Sequence, residues 1–383
     1  MFRRVFLLSS LATPMIRWFR PWESLASTLA MVEGANAADL YLKAFGWAKG
    51  FPQEDLDRLQ QAATIAIDDP NVSRLIDQAG PALDAVRAAA GMKTCRWEPE
   101  IPTLEDLTQG RMDYGNLNVV RVACLSARRL TKQGQGHAAL DDLFAALTLA
   151  HRVGTGGVLL ARIFEYSNAV TVFKTLGHLL PTMDRAILDE LSRRLDDLPP
   201  PEPASATVEV EARFILGLIR TKLAPIGPVI GDNQWGEAGF SPSEGIALKR
   251  ITGSDRDRLL VHLDATVPAF AELGRRLDLP RLDCRTAVDE FARTEASTHP
   301  IAVGLVDSAW NVRHIIDRMR AYRAMVHAGL ILVRDGQPAF QAERDPFGTG
   351  EFQLERRGQG FLIRSSLRGD DRPEVSLVIG AAP

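Results

Sequence analysis

Cysteine is scarce in this chain: Cys95, Cys124 and Cys284 are the only three among 383 residues, and they lie far apart. Three isolated thiols exclude a disulfide framework and a cysteine-rich zinc site, because both need more numerous or closely spaced cysteines. The spacing leaves room for a single bridge, but we expect buried, reduced thiols that pack like small apolar side chains.

Long apolar runs and an excess of positive charge are also lacking. No stretch of about 18 uncharged apolar residues occurs, which excludes an ordinary transmembrane helix. The net charge is −3 and the isoelectric point is about 6.2, so the surface has no cationic field that would attract a phosphate backbone. We therefore expect no nucleic-acid partner. With 46% apolar and 24% charged residues, the composition is that of a folded protein.

Familiar catalytic and cofactor motifs are absent as well. The chain has no HExxH, GxSxG, Walker-type or CxxC motif. No two of the seven histidines lie four residues apart, which is the simplest spacing for a pair of zinc ligands on one helix. The glycine-rich stretch Gly154–Gly157 follows a predicted helix rather than a strand, so we predict a helix-hairpin turn and not a phosphate loop. These absences predict no cofactor and no catalytic metal.

Residues 1–35 have the character of a leader. Arg3 and Arg4 precede an apolar run over residues 5–16, which is the outline of a secretory signal. Pro14 interrupts the run and no small-x-small cleavage site follows closely, which instead favours an amphipathic leader able to associate with a membrane, or an overlong gene start. The pattern supports export or a cell-envelope location about as well as the cytoplasm.

Residues 36–332 form a predicted helical domain. Apolar side chains recur every three or four positions, and glycine turns at Gly134–Gly136 and Gly154–Gly157 separate successive helices. Short turns force neighbouring helices to pack antiparallel, so the fold class is mainly α, a repeat-like bundle of stacked helical hairpins. The segment 158–180 is apolar on nearly every side, which predicts a central buried helix.

Three further parts of this domain carry predictions of their own. Residues 53–67 have the spacing of one amphipathic helix, and residues 302–332 that of a single long helix that ends the domain. Between them, residues 225–255 collect Gly, Pro, Ser and Asn and lack periodicity. Such a long irregular segment predicts a lid, a binding loop or disorder.

The character of the chain changes after Gly336, and residues 336–383 form a predicted small β module packed on the last helix. Residues 352–355 alternate between apolar and polar side chains, and residues 361–364 follow a turn at Gly358–Gly360. Period-two alternation around a glycine turn is typical of a β-hairpin. Residues 375–379 offer a third strand. Because an isolated hairpin is marginally stable, we expect the module to cap the helical body.

The order of motifs in this module resembles that in type II secretion pseudopilins. Asp345-Pro346-Phe347-Gly348 precedes the hairpin, and a loop with the sequence Ser365-Ser366-Leu367-Arg368-Gly369-Asp370-Asp371 follows it. The same module is similar to the C-terminal end of a large, mostly helical family of uncharacterised bacterial proteins, often exported, whose early Asn-Ala-Ala-x-Leu-Tyr stretch is similar to Asn36–Tyr41. The pseudopilin resemblance implies that Asp370 and Asp371 are candidate calcium ligands. The chain lacks a pseudopilin cleavage site and apolar stalk, so pilus assembly is not implied.

Glu165 is the one candidate catalytic residue. It lies inside the apolar segment 158–180, where an unpaired carboxylate would be costly, and Arg162 one turn earlier is its simplest partner. The first hypothesis is a non-catalytic helical scaffold or binding protein with a protein partner, at the cell envelope. One alternative is a hydrolase-like enzyme with a helix-lined pocket near Glu165 and a lid formed by residues 225–255. Another is a component of a secretion apparatus related to pseudopilins.

Overall fold

A computed structural model of the chain describes residues 36–62, 65–98, 110–368 and 374–380. The predicted leader at residues 1–35 and the candidate calcium ligands Asp370 and Asp371 lie outside the described residues.

The described residues form sixteen α-helices and, at the C-terminal end, one three-stranded sheet. In chain order the helices are α1 (Ala37–Gly46), α2 (Gln53–Gln60), α3 (Pro70–Gln78), α4 (Gly80–Ala90), α5 (Gly115–Lys132), α6 (Gly136–Gly154), α7 (Leu159–Leu179), α8 (Arg185–Asp196), α9 (Ala204–Leu223), α10 (Gln234–Glu237), α11 (Pro242–Thr252), α12 (Arg256–Leu277), α13 (Arg281–Glu295), α14 (Pro300–Gly304), α15 (Val306–Asp335) and α16 (Gln337–Phe340). The strands are β1 (Gln353–Arg357), β2 (Gly360–Arg364) and β3 (Ser376–Ile379).

The predicted fold class is confirmed: the chain is mainly α, with helices packed against their neighbours in sequence. Helices α5, α6 and α7 pack on one another and are joined by the two predicted glycine turns. Gly134 has a φ of 74° and Gly156 a φ of 61°, in the left-handed region that glycine enters without steric cost. Tight reversal at these two positions places α5, α6 and α7 side by side.

Helix α7 is the predicted central helix. Thirteen of its 21 residues are buried, and it packs against α5, α6 and the long helix α15. Buried neighbours such as Phe164 and Glu165, or Ala169 and Val170, fall on different sides of the helix, and its exposed surface is a narrow stripe that includes Leu160, Ile163 and Lys174. None of the helices in the described part of the chain combines the length and the apolar character needed to span a membrane.

Residues 225–255 are not the irregular or disordered segment that the composition predicts, because they contain the helices α10 and α11. Helix α11 begins with a capping box: the Ser241 hydroxyl accepts a hydrogen bond from the Glu244 N–H at 3.3 Å, and the Glu244 carboxylate accepts one from the Ser241 N–H at 2.8 Å. The helix packs against α12 and α14 and buries Leu248 completely. Helix α11 is too short for its apolar residues to show a clear helical period in the sequence. Packing against other helices stabilises it.

Replacing Ser241 with alanine should therefore lower the free energy of unfolding by about 1 kcal/mol, the usual cost of losing a serine N-cap. Urea unfolding followed by circular dichroism measures the loss. Thr286→Ala, at an exposed helical position of α13, is the matched control and should change the value by less than about 0.5 kcal/mol. Equal effects of the two changes would show that the capping box does not stabilise α11.

Two predicted helix boundaries also differ from the structure. The helix predicted over residues 53–67 ends at Gln60, and the long helix predicted from residue 302 begins at Val306 and continues to Asp335. The short helix α14 precedes it as a separate element, which starts with Pro300 in its first turn. Apolar periodicity continues across such junctions, so it locates helices better than it locates their ends.

The C-terminal sheet is antiparallel in the order β1-β2-β3, which confirms the predicted hairpin and its third strand. Pairing of Arg357 with Gly360 leaves Gly358 and Gln359 as the two central turn residues. Gly358 has a φ of 55°, and glycine with positive φ at the first central position is the mark of a type II′ hairpin turn. The register pairs Ile363 of β2 with Leu377 of β3, and both side chains lie in the protein interior.

The sheet docks on both α7 and α15 through close approach at two glycines. A Cβ added at Gly177 of α7 would lie 2.5 Å from the Val378 carbonyl oxygen, and one added at Gly329 of α15 would lie 2.5 Å from Ile379 Cδ1. The Gly380 N–H donates to the Gly177 carbonyl at 3.0 Å. The expected contact with the long helix is therefore present, and the central helix contributes a second one.

The Asp-Pro-Phe-Gly turn is tied to the loop after the hairpin. Asp345 is buried, and its carboxylate accepts hydrogen bonds from the Phe347 N–H at 3.0 Å, from the Ser365 hydroxyl at 2.9 Å and from the Ser366 N–H. Three donors satisfy a carboxylate in the interior. Asp345 thus has a structural role, in which it joins the two motifs that suggested the pseudopilin resemblance.

Candidate functional site

Glu165 lies in the second turn of α7 and is only 4% exposed. The Arg162 guanidinium, one turn earlier and fully buried, donates from Nη1 to Glu165 Oε2 at 2.5 Å. The predicted pairing of these two residues is confirmed. A hydrogen-bonded partner of opposite charge is what makes a buried carboxylate tolerable.

Arg162 uses its remaining nitrogens to connect α7 with the neighbouring chain. Its Nε donates to the Thr207 hydroxyl of α9 at 3.0 Å, and its Nη2 donates to the carboxylate of Glu202, which precedes α9. Both partners lie 40 or more residues from Arg162 in the sequence. The guanidinium is therefore the centre of a buried network that joins α7 to the start of α9.

Small residues at the end of α6 provide the space for this network. A Cβ added at Gly154 would collide with the Glu165 carboxylate, and one added at Gly157 would lie 2.5 Å from the Ala161 Cβ. The predicted helix-hairpin turn is thus also a close approach, in which bare backbone of the turn packs against the first turns of α7. This packing explains why both positions are occupied by glycine, since any side chain would collide with its neighbours.

A partly buried carboxylate of α9 caps the N-terminal end of α7. Glu211 of α9 accepts a hydrogen bond from the Leu159 N–H at 2.8 Å, which satisfies one of the free donors of the first turn. Burial raises the pKa of Glu211, and the Leu159 N–H partly opposes that rise. Helix α9 thus supplies a cap for α7 from 52 residues away.

His151 places an imidazole between Glu165 and a hydroxyl. Its Nδ1 lies 3.4 Å from Glu165 Oε1, and its Nε2 lies 3.3 Å from the Thr155 hydroxyl oxygen. Hydroxyl, imidazole and carboxylate follow one another in the order found in nucleophilic triads. The Thr155 hydroxyl, however, donates its proton to the His151 carbonyl at 2.9 Å, a local bond within the last turn of α6.

The turn offers no pair of free N–H groups that could stabilise an oxyanion. The Thr155 N–H donates to the His151 carbonyl at 2.9 Å, and the Gly157 N–H donates to the Gly154 carbonyl at 3.0 Å. The Gly156 N–H donates to the Glu202 carboxylate at 3.1 Å. Acyl-transfer chemistry depends on uncommitted donors beside the nucleophile, and all three donors of this turn are committed.

The cavity beside this network is small. His151, Glu165, Phe173, Met319 and Arg323 contribute to its wall, and its volume is about 60 Å³. Pockets that bind organic substrates usually measure about 300–1,000 Å³. Space for a few water molecules therefore adjoins Glu165, but not space for an organic substrate.

A larger cavity of about 440 Å³ lies against the turn, and Cys95, Trp97 and Thr155 contribute to its wall. Burial raises the pKa of the Cys95 thiol, although Arg152 and Arg111 partly oppose the rise. The thiolate is the reactive form of cysteine, so a raised pKa makes the thiol less reactive at neutral pH.

Metal ligands do not cluster in the described residues: no group of three or more His, Cys, Asp or Glu side chains is arranged to hold a metal ion there. The candidate pair Asp370 and Asp371 lies outside the described residues, so the structure gives it no geometry.

Sequence patterns indicated Glu165 and Arg162 but missed His151, Glu202 and Glu211. The first pair is local, one helical turn apart, and can be read from the spacing. The other three reach the site through the packing of α6, α9 and the connector before α9 onto α7. No signal in a single sequence connects positions so far apart.

Comparison of the chain with protein-family models, with curated proteins and with solved structures finds no match.

Proposed function

We propose that this protein is a non-catalytic helical scaffold that binds a protein partner. The observation that carries the proposal is the state of Glu165, whose carboxylate is bound to a buried arginine beside a cavity of about 60 Å³. A general base needs an uncommitted carboxylate within reach of a bound substrate. Glu165 instead serves to hold α7 against its neighbours.

Apolar side chains on the surface support a binding role. Seven of the eleven large apolar side chains that are exposed in the described residues fall between positions 229 and 282: Val229, Ile246, Ile251, Val261, Val267, Leu279 and Leu282. Single exposed apolar residues are ordinary, whereas a contiguous apolar patch marks an interaction surface. Of these seven residues, Val267 lines a groove between α9 and α12. The binding face is therefore assigned to the part of the molecule that contains α9, α11 and α12.

The proposed binding face contains a groove between α9 and α12. The two helices run antiparallel, as the Arg220–Asp264 ion pair near one end and the contact of Gly274 with Ser205 near the other require. The groove has a volume of about 540 Å³. Its floor is apolar and its edges carry charges, with the lining side chains Ala206, Glu209, Ala212, Arg213, Leu216, Val267, Phe270, Ala271 and Arg275.

The occupant proposed for this groove is an amphipathic helix of the partner protein. The lining of α9 runs from Ser205 to Leu216, which at 1.5 Å per residue is about 16 Å, or three turns of a partner helix. An apolar groove of that length suits the apolar face of such a helix. Glu209 on one edge and Arg213 and Arg275 nearby are largely exposed, so the partner helix should carry charges of both signs beside its apolar face.

A photoreactive amino acid at position 267, in the groove, tests the proposal. On illumination in producing cells we expect a covalent adduct with one partner protein. The Ala206→Glu change, which puts a charge into the groove wall, should lower the adduct yield about tenfold or more, because an unpaired charge in an apolar contact is costly. A probe at Tyr114, which is 69% exposed and outside the groove, is the control and should give no such adduct.

Equal yields with and without Ala206→Glu would contradict the groove as the docking site, provided that circular dichroism shows the variant to be folded. An adduct between two copies of the chain would contradict a separate partner protein and show that the groove binds a second copy of this chain. An adduct of equal yield at Tyr114 would show that labelling is not specific.

A location at the cell envelope is a separate proposal, supported by the cationic and apolar character of residues 1–35. N-terminal sequencing of the native protein after cell fractionation tests it. We expect the envelope fraction, and recovery of an intact chain in the cytoplasm alone would contradict it. A role in a secretion apparatus is supported only by the resemblance of the C-terminal module to that of type II secretion pseudopilins.

A further inference from the structure

Two histidines meet at the junction between α12 and α14. The imidazole of His262, on α12, and that of His299, immediately before α14, are nearly parallel, with an interplanar angle of 15° and ring centroids 5.9 Å apart. His262 Nε2 and His299 Nδ1 are shut off from solvent and have no hydrogen-bond partner among the described residues. Neutral imidazoles tolerate this contact, whereas two imidazolium ions would repel each other without water between them.

The junction holds several elements together. Helix α14 is only five residues long, yet it packs against α11, α12, α13 and α15, and its Pro300, Ile301 and Ala302 are buried. His299 is the residue through which the chain enters this helix, so its ring position determines how α14 lies on α12. A change of charge at His299 therefore acts on a point where five helices meet.

Few charged groups face His299. Glu295, at the end of α13, lies 4.0 Å from His299 Nε2. The other ring nitrogen, Nδ1, is the one without a hydrogen-bond partner. From α11, the Glu244 carboxylate lies beside Gly304 at the far end of α14, and it is engaged in the capping box of Ser241. From α15, no described side chain forms an ion pair or hydrogen bond with the imidazole. Among the described residues, Glu295 is the carboxylate that pairs with His299.

Within the part of the chain that the structure describes, no carboxylate forms an ion pair or hydrogen bond with the His262 ring. Asp264, two residues along α12, is exposed and pairs with Arg220 of α9. Burial lowers the pKa of His262, and the neighbouring His299 lowers it further. The folded structure therefore opposes protonation of His262.

We propose that His262 and His299 form an acid-sensitive latch that holds α14 against α12 at neutral pH and releases it in mild acid. This inference does not depend on the proposed binding function, because it concerns the other side of α12 from the groove-lining residues. Its consequence is a corner of the protein, formed by α11, α12 and α14, that opens when the surroundings become acidic.

The direction of the pH effect follows from the lowered pKa. The unfolded chain takes up a proton on His262 near pH 6.5, whereas the folded chain resists it until the pH is lower. The contribution of neutral His262 to the free energy of unfolding is therefore fully present above pH 6.5. It falls as the pH drops below 6.5 and is lost once the pH is below the pKa of His262 in the folded protein.

Hydrogen–deuterium exchange of the full chain at pH 7.5 and pH 5.5, corrected for the intrinsic exchange rates, tests the latch. In peptides that cover residues 296–305, we expect protection to fall at least about tenfold in acid, because two charges 5.9 Å apart repel strongly at the effective dielectric of a protein. His299→Gln removes one of the two charges and should reduce the acid effect to less than about twofold.

His137→Gln is the matched control, because His137 is an exposed histidine on α6 and should leave the acid response of residues 296–305 unchanged. His262→Gln provides a second variant and should abolish the response as His299→Gln does, so failure of one variant to fold does not remove the test. Unchanged protection in the parent protein between the two pH values would overturn the latch. So would a full acid response in a folded variant that lacks either histidine.

Discussion

Replacing Arg162 with methionine should lower the free energy of unfolding by about 3–5 kcal/mol, the usual cost of removing one partner from a buried ion pair. The change leaves Glu165 buried with His151, 3.4 Å away, as its remaining polar neighbour. It also removes the donors to Thr207 and Glu202 that join α7 to the start of α9. Urea unfolding at pH 7, followed by circular dichroism, measures the loss.

Arg250→Met is the matched control for this change. Arg250 lies on the exposed surface of α11, and its replacement should change the free energy of unfolding by less than about 0.5 kcal/mol. A loss below about 1 kcal/mol for Arg162→Met would show that the network does not stabilise the fold, and Glu165 would again be available for another role.

Deleting residues 336–383 should lower the free energy of unfolding by at least about 5 kcal/mol, since each buried large apolar side chain contributes roughly 1.5–3 kcal/mol. The strands bury Leu362, Ile363, Leu377 and Ile379, and they cover apolar surface of α7 and α15 that the truncated chain would expose to water. The Tm should fall by about 6 °C or more. An unchanged Tm, measured by calorimetry, would mean that the module is an independent appendage.

A single glycine distinguishes docking of the sheet from other effects of the deletion. Gly177→Ala places a methyl group against the Val378 carbonyl oxygen and Leu377, so it should destabilise the protein although alanine favours helices. Gly217→Ala is the matched control, because no atom lies within 4 Å of the added Cβ. It should stabilise the protein by up to about 1 kcal/mol. Equal effects of the two changes would contradict close packing of β3 on α7.

The fold could be predicted to a large extent because its determinants are local. Helix α7 was evident from apolar residues on every side of a 23-residue segment, and the hairpin was evident from alternation around Gly358. Helix α11 was missed, although its capping box, Ser241 and Glu244, is a local signal that marks a helix start. The apolar residues of this 11-residue helix show too little periodicity for the capping box alone to predict a helix.

The site could be predicted only where its residues are neighbours in the chain. Arg162 and Glu165 are three positions apart, and their pairing followed from the helical period. Glu202 and Thr207 lie 40 and 45 positions from Arg162, and their contacts exist only because α9 packs on α7. The stacking of His262 on His299 likewise depends on the path of α13 between them. Such contacts are set by tertiary packing and leave no periodic trace in the sequence.

The double variant Arg162→Met/Glu165→Met tests most directly whether Glu165 is a structural residue. Replacing both partners of a buried ion pair with apolar side chains is often nearly neutral, whereas removing one is costly. The account predicts that the second change recovers at least about 2 kcal/mol of the stability that Arg162→Met loses, as measured by urea unfolding of both single variants and the double variant. A double variant whose loss equals the sum of the two single losses would contradict it.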